Sequence, residues 1–452
     1  MAAFRLVCAA CGTSVSASGV APPPFRCPSA GALPDADHVV TKLLGDTAPP
    51  WPAGGENNPF VRYRTLLLSY DVARTAGASD ADYVERVERL DSAVATVAGH
   101  GFRVTPFSRH AALSDALGFS PRGGVWVKDE TGNVSGSHKG RHLAGIMLHL
   151  VANKWDSHTF PGADQREKCD CPTYSLAIAS CGNAALAAAV VARAAGWTLH
   201  AFIPPDADPG VVERLRDLGA SLVVCPRRPG EIGDPCYLRF KEALAEGALP
   251  FCCQGPDNGL TIEGGETLAY EMIDQAGGTE LDGLVVQVGG GALASACIQG
   301  FDRAVALGRL RRGPRIYTMQ TRAAAPLARA YERVAGRAHC TGLDEAVRYA
   351  ATHRPEFMWP WESEPRSIAH GILDDETYDW LAVVRGMLES GGRPVVVDEA
   401  TLVAANACAR ETTGINVDHT GSAGLAGLFD LRARGVITAE ANIAVIFSGI
   451  RR

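Results

Sequence analysis

The stretch "DGLVVQVGGGALASAC", residues 282–297, limits the fold more than any other part of the chain. Its centre is almost uninterruptedly apolar, so it lacks the polar alternate face of a half-exposed strand. A strand of that kind is buried on both sides, which requires helices above and below its sheet. It runs into three glycines and then opens into an Ala-rich run of helical character. The same unit recurs from Val125 onward. "GVWVKD", "TYSLAIAS", "TLHAFIP", "ASLVVCP", "PRIYTMQ" and "ANIAVIFSG" read as strands. "KGRHLAGIMLHLVANKW", "NAALAAAVVARAAG", "PGVVERLRDLG" and "ALASACIQGFDRAVALG" read as the helices between them. Alternation of this sort predicts an α/β protein with mostly parallel strands. The strands are too many for one compact lobe. Two lobes are expected, each a twisted, mostly parallel sheet flanked by helices.

Residues 1–45 differ in character and are expected to form an N-terminal arm. "DTAPPWPAGGENNP" is a Pro/Gly-rich linker after it. "FVRYRTLLLSYDVA" reads as helix or irregular arm. "DADYVERVERLDSAVATVAGHG" has helical spacing and a glycine stop. The larger lobe is assigned to 46–123 and 255–452, the smaller to 124–254. An insertion, "DSHTFPGADQREKCDCPT", breaks the alternation and reads as a surface loop.

The arm carries Cys8 and Cys11 at C-x-x-C spacing, and Cys27 follows in "RCPSAG". A zinc ribbon takes four ligands, usually from two C-x-x-C knuckles. Ala30 stands where the fourth cysteine belongs. His38 could complete the set, but its spacing is wrong for a knuckle. The expectation is a degenerate ribbon packed as a plain arm, with no metal. The chain's 13 cysteines are scattered, often in apolar runs, and read as reduced thiols. With 43 Lys and Arg against 50 Asp and Glu, the net charge is −7, which is no nucleic-acid footprint. No apolar run reaches the roughly 18 residues of a membrane span. Arg5 interrupts the apolar start, which argues against a signal peptide and for the cytoplasm.

Ligands of parallel sheets bind beyond the carboxyl ends of the strands, where helix N-termini point. Four loops hold suggestive chemistry there. In "SGSHKGR", Lys139 stands in the first turn of a helix, where a Schiff-base lysine could be held. In "ASCGNAALAAA", Gly182 permits a turn, and the free N–H groups leading into Asn183 suit a carboxylate. An ordinary strand–turn–helix would look the same. In "VQVGGGALAS", Gly289, Gly290 and Gly291 let backbone N–H groups close around a phosphate. The spacing is neither that of a dinucleotide fold nor that of a P-loop, so a single phosphate is expected. In "AVIFSGIRR", Ser448 leaves the last strand on the same edge.

In this order the stations resemble those of fold-type II pyridoxal-phosphate enzymes, the group of tryptophan synthase β, threonine synthase and the serine and threonine dehydratases. The family pattern S-x-K-x-R, S-G-N, G-G-G-G and S-G appears here as "SHKGR", "SCGN", "GGGA" and "SG". "VTPFSRHAAL", "EGGETLAYEM" and "VDHTGSAGLAGL" resemble smaller family segments. The similarity runs from about Asn58 to the C-terminus. It implies pyridoxal 5'-phosphate as cofactor, carried on Lys139. It implies that Asn183 bonds the phenolic oxygen, that Gly289 to Ala292 bind the phosphate, and that Ser448 meets the pyridine nitrogen. Ser137, Ser180, Cys181, Gly182 and Asn183 would hold the substrate carboxylate. Three departures stand out. His138 replaces the usual Phe and could carry a proton. Cys181 and Ala184 replace hydroxyl residues in the substrate loop. Ala292 ends the glycine run.

The resemblance points to two reactions. The arm and "NPFVRYRTLL" resemble threonine synthases, whereas the catalytic loops look more like dehydratases. Threonine synthases commonly place Thr where this chain has Ser448. No additional cationic pocket for a phosphorylated substrate is evident. Elimination from a β-substituted amino acid, through the aminoacrylate stage that replacement shares, ranks first. Synthase-type replacement ranks second. A cofactor-binding pseudoenzyme is the non-enzyme alternative, and Lys139 argues against it. A small amino-acid substrate and a homodimer are expected, with no nucleic-acid or membrane partner. Trp359 and Trp361 are candidates for the pocket wall or for a lid.

Overall fold

A computed structural model describes residues 3–17, 25–152 and 174–452. The insertion, with Cys169 and Cys171, lies outside the described residues. The apolar strand Gly283–Gln287 sits where its composition demands, inside a six-stranded sheet. The order across that sheet is Arg393–Val397, Arg315–Thr321, Gly283–Gln287, Asn442–Phe447, Gly124–Asp129 and Phe107–Arg109. Neighbours are parallel, except that Phe107–Arg109 runs antiparallel at the edge. A second sheet has four parallel strands, in the order Ser221–Val224, Leu199–Ile203, Leu176–Ala179 and Leu249–Pro250. Helices flank both sheets, so the two-lobed α/β architecture is as expected.

One boundary is corrected. The strand Gly124–Asp129 was assigned to the smaller lobe but lies in the larger sheet, paired along its length with Asn442–Phe447. Its partner is some 300 residues away in sequence; local pattern carries no trace of such a pairing. The strand Arg393–Val397 has no counterpart in the sequence reading. Pro394 disguises it, and its edge position tolerates the missing N–H.

Local rules explain the helices that frame the site. Asp80–Ala98 starts at a capping box: the Asp82 N–H donates to Ser79 Oγ at 3.1 Å, and the Ser79 N–H donates to Asp82 Oδ2 at 2.7 Å. Gly99 ends it at φ +86. Lys139–Ala152 is buried at every position after Lys139, and Thr261–Gln275 is buried from Thr261 to Ile273. Helices buried on all sides belong in the centre, and the charged side chains these two bury, Arg141, Glu263, Glu266 and Glu271, are paired. These two pack directly on each other, and the first also touches Asn183–Ala195 of the smaller lobe. The approach is close: a Cβ on Gly145 would stand 2.7 Å from the Gly264 nitrogen, and one on Gly264 would collide with the Arg141 carbonyl. That contact accounts for Gly264 of "EGGETLAYEM", and Gly265 is set by His142 and by Ala296, whose Cβ would stand 2.8 Å from an added one.

The arm is a three-stranded antiparallel sheet, with Ser14–Val15, Phe4–Cys8 and Val40–Leu44 in that order. It is docked rather than loose. Lys42 Nζ reaches Glu263 and Glu266, each at 2.8 Å, and Arg303 closes on Glu266 at 2.9 Å. The expectation that His38 is wrongly spaced is also corrected. The register pairs Cys8 with Val40, which draws His38 to the Cys8 end of the sheet. Cys8, Cys11, Cys27 and His38 converge, with one ligand atom from each lying within 4.8 Å of the others. Strand pairing brings them together, not knuckle spacing.

Candidate active site

Between the strand Gly124–Asp129 and the helix Lys139–Ala152 the chain makes one tight turn. Ser135 and Gly136 both take positive φ, at +59 and +68. A Cβ on Gly136 would stand 2.5 Å from Ile450 Cγ2, so glycine is required there for close approach as well as for φ. The turn is laced to the end of the last strand. Glu130 N donates to Phe447 O at 2.9 Å, His138 N to Ser448 O at 3.0 Å, and Ile450 N to Gly136 O at 2.8 Å. Two of the four stations, Lys139 and Ser448, are thereby held together by backbone.

Beneath Lys139 lies a buried ionic lattice. Arg141 Nε donates to Glu130 at 2.9 Å, and Nη1 donates to Glu271 at 2.6 Å and to Thr267 at 2.9 Å. Lys128, fully buried, pairs with Glu271 and donates to Thr105 O at 2.7 Å. Two cations face two carboxylates, so the lattice is neutral. It fixes the first turn of the Lys139 helix against both neighbours.

Ser448 is 3% exposed. Its hydroxyl accepts the Gln287 side-chain N–H at 2.7 Å. The same amide nitrogen also donates to Gly421 O at 2.9 Å, and that carbonyl fixes which end of the amide is nitrogen. Having accepted from Gln287, the Ser448 hydroxyl keeps its own hydrogen to donate elsewhere. Gln287 was missed in the sequence because it looked like one polar residue in an apolar strand.

Asn183 opens the helix Asn183–Ala195. Its Oδ1 accepts from Arg452, whose other guanidinium nitrogen donates to Ser135 O at 2.6 Å. Arginine only donates, so this contact leaves the Asn183 NH2 as the free end. A Cβ on Gly449 would lie 3.0 Å from that nitrogen, which sets Asn183 beside the Ser448 station. Arg452 was also missed. Ser180, Cys181 and Gly182 line the same loop, half-buried, with the Gly182 N–H on Ser180 Oγ at 3.4 Å. Burial pushes the Cys181 thiol up.

The glycine loop precedes the helix Ala292–Ala306, whose first N–H groups have no intrahelical partners. Gly291 sits at φ +97. The segment 372–379 covers the loop. Thr377 Oγ1 donates to Gly289 O at 3.0 Å, and the Asp379 N–H donates to Gly290 O at 3.1 Å. A Cβ on Gly290 would meet Tyr378 at 2.9 Å, and one on Gly291 would meet Thr377 at the same distance. Burial pushes Asp374 up to about 6 and Asp379 up to about 7, and in both the Lys139 charge works the other way.

His138 donates from Nδ1 to the Ser448 carbonyl at 3.1 Å, since a carbonyl only accepts. Its Nε2 then carries a lone pair, and it has no partner. Burial, then the Lys139 charge, hold its pKa well below the usual histidine range. Ser137 Oγ is buried without a partner as well. The Trp361 backbone N–H donates to Asp375 O of the covering segment at 3.0 Å. Arg329 stacks 3.7 Å from the Trp359 ring centre and 5.2 Å from that of Trp361.

A lysine at a helix mouth, a glycine cradle, an oriented amide and a neutral hydroxyl define a class of cofactor-dependent enzyme. The family model for "pyridoxal-phosphate dependent enzyme" matches residues 99–449, and the chain belongs to that family. L-serine dehydratase of Saccharomyces cerevisiae is 28% identical over 186 residues, 39% of this chain and 51% of that one. The chain thus spans about half the length of the serine dehydratases it matches. Threonine synthase of Mycobacterium bovis is 25% identical over 346 residues, 76% of this chain and 80% of that one. Among solved structures, maize serine racemase superposes with a TM-score of 0.58 at 20% identity, covering 81% of this chain and 93% of that one. A threonine deaminase from T.th. gives 0.57 at 21%, covering 81% and 98%. These two share the fold.

The residues suit pyridoxal phosphate. Glycine is required at 289, 290 and 291 under the segment 372–379, where a Cβ would meet Asp374, Tyr378 or Thr377. The Ser448 hydroxyl has a hydrogen for an unprotonated ring nitrogen, and the Asn183 NH2 has one for an oxygen. Asp374 is at variance with this fit. It accepts the Gly290 N–H, and a carboxylate there would oppose a phosphate. Its raised pKa makes that charge cheap to remove.

Proposed function

We propose that this chain is a lyase acting on a small β-substituted amino acid, with pyridoxal phosphate held on Lys139. Its division into an arm, a larger and a smaller lobe is part of the same reading. The observation that carries the proposal is the Ser448 hydroxyl, neutral and held by Gln287 at 2.7 Å. Pyridoxal phosphate, when bound, supplies an electron sink for charge developing at Cα. A serine hydroxyl cannot keep the ring nitrogen protonated as an acidic partner would, so that sink is shallow. Expelling a β-substituent is then the faster exit.

Each residue has a task. Lys139 would accept the Cα proton of the bound amino acid. Its approach is set by the turn Ser135–Gly136 and by the lattice around Arg141. The free N–H groups leading into Asn183, with Ser180, Cys181, Gly182 and Ser137, hold the substrate carboxylate. The glycine loop, Gly289 to Ala292, holds the phosphate. The His138 Nε2 lone pair can move a proton at the departing group. Replacement of the β-substituent, as in threonine synthase, is the second reading. Similarity over 76% of the chain to a threonine synthase favours it. The proposal includes a cytoplasmic homodimer without nucleic-acid or membrane partners, and the net charge of −7 supports the former exclusion. Sedimentation would show the dimer.

A spectral screen of serine, threonine and other β-substituted amino acids tests the reading. At least one should shift the cofactor band, and Ser448→Asp should slow its conversion by on the order of tenfold, about 1.4 kcal/mol. Faster elimination in Ser448→Asp would contradict the role given to the hydroxyl.

A further inference from the structure

We propose that Cys8, Cys11, Cys27 and His38 bind one zinc ion, as a closed structural site at the tip of the N-terminal sheet. Zinc takes four ligands tetrahedrally, with bonds of about 2.3 Å to sulfur and about 2.0–2.1 Å to nitrogen. Those bonds require sulfurs about 3.8 Å apart, and sulfur and nitrogen about 3.5 Å apart. Here Cys11 Sγ and Cys27 Sγ are 3.6 Å apart, and Cys8 Sγ is 3.3 Å from His38 Nδ1. All four ligand atoms fall within 4.8 Å of one another.

The surroundings are those of a metal site rather than of a thiol core. His38 Nε2 donates to Leu33 O at 3.0 Å. That bond fixes the tautomer and leaves the Nδ1 lone pair facing the sulfurs, as an outer partner does for a zinc-bound imidazole. The Ala10 and Cys11 N–H groups point at Cys8 Sγ. The Ser29 N–H donates to Cys27 Sγ at 3.3 Å, and Thr13 Oγ1 stands 3.1 Å from Cys11 Sγ. Backbone N–H groups are thus aimed at the Cys8 and Cys27 sulfurs, which suits thiolates carrying more charge than a dication cancels. Three sulfurs and one imidazole nitrogen favour zinc over harder cations. Four protein ligands leave no open position, so the ion serves structure and not turnover.

The site would hold the segment that docks the arm on the body. Beside His38, the Asp37 N–H donates to Ala351 O at 2.7 Å, and Arg354 reaches the Asp37 carboxyl at 3.3 Å. The Arg354 N–H in turn donates to Asp35 O at 2.8 Å.

The test is made on the full chain, purified under reducing conditions, and reads metal rather than activity. Elemental analysis should find about one zinc per chain and almost none in Cys11→Ser/Cys27→Ser. In case that variant fails to fold, the wild-type protein is also stripped and refilled with Co(II). Thiolate-to-cobalt charge-transfer bands with intense tetrahedral d–d bands are expected. Wild-type protein that stays metal-free after incubation with zinc, or that forms a Cys11–Cys27 disulfide instead, would overturn the proposal. So would full zinc retention in the double variant.

Discussion

Lys139 is set apart from other lysines by its neighbours. Lys128 is the nearest rival in sequence, but it is fully buried and bound to Glu271 and Thr105. Lys139 is half-buried at the helix mouth. Borohydride reduction of the holoenzyme followed by peptide mapping should therefore label Lys139, and a label on Lys128 would refute the assignment. The lysine, the glycines and Ser448 were legible in the sequence because each is a residue type that the chemistry needs at a strand or helix end. Gln287, Arg452 and Asp374 were not. Each acts on a residue far away in sequence, and only the folded sheet edge brings them together. His38 is the same lesson in the arm: its partner is chosen by strand register.

At the scale of elements, the glycine loop and the Lys139 helix carry separate predictions. Gly290→Asp adds a carboxylate to a cradle of N–H groups already crowded by Tyr378 and Asp374. The variant should fold yet purify without cofactor, as read from its absorbance; full retention would make the loop merely structural. Arg141 is a different case. Removing it leaves Glu130 and Glu271 buried and short of a cation, at a cost of about 3–5 kcal/mol. Denaturant unfolding of Arg141→Ala should show that loss. Arg228→Ala breaks only the exposed 3.4 Å pair with Glu242 and should cost about 0–1 kcal/mol. Equal effects would mean that the lattice adds nothing to the helix. Most helices were readable from periodicity and glycine stops. The strand Arg393–Val397 was hidden by its proline, and the sheet membership of Gly124–Asp129 by a partner at the other end of the chain.

For the whole molecule, the buried acids set a pH profile. Asp374 and Asp379 have folded pKa values raised by burial to about 6 and about 7. Their folded forms hold protons more tightly than the unfolded chain, so the stability they contribute is present at low pH and lost as pH rises through 6 to 7. Glu266 has the opposite sign. Burial opposes its charge, but Arg303 and Lys42 outweigh it and hold the carboxyl at about 2. Its contribution is present above the ordinary value of 4.5 and lost as pH falls toward 2. The two signs cross near the ordinary carboxylate values of 3.8 and 4.5, so these groups place the stability maximum of cofactor-free protein at about pH 4, with a decline from there to about 7. Asp379→Asn should flatten the decline between about pH 4 and 7, and a stability that rises across that range would contradict the assignment. The central claim, that this architecture performs elimination or replacement at the β-carbon, is tested most directly by product analysis. Wild-type and Lys139→Ala proteins are incubated with pyridoxal phosphate, a panel of β-substituted amino acids and, separately, a keto-acid acceptor. The account predicts an oxo acid with ammonia, or a replacement product, from wild type alone. Efficient transamination by wild type, with no elimination or replacement from any member of the panel, would contradict it.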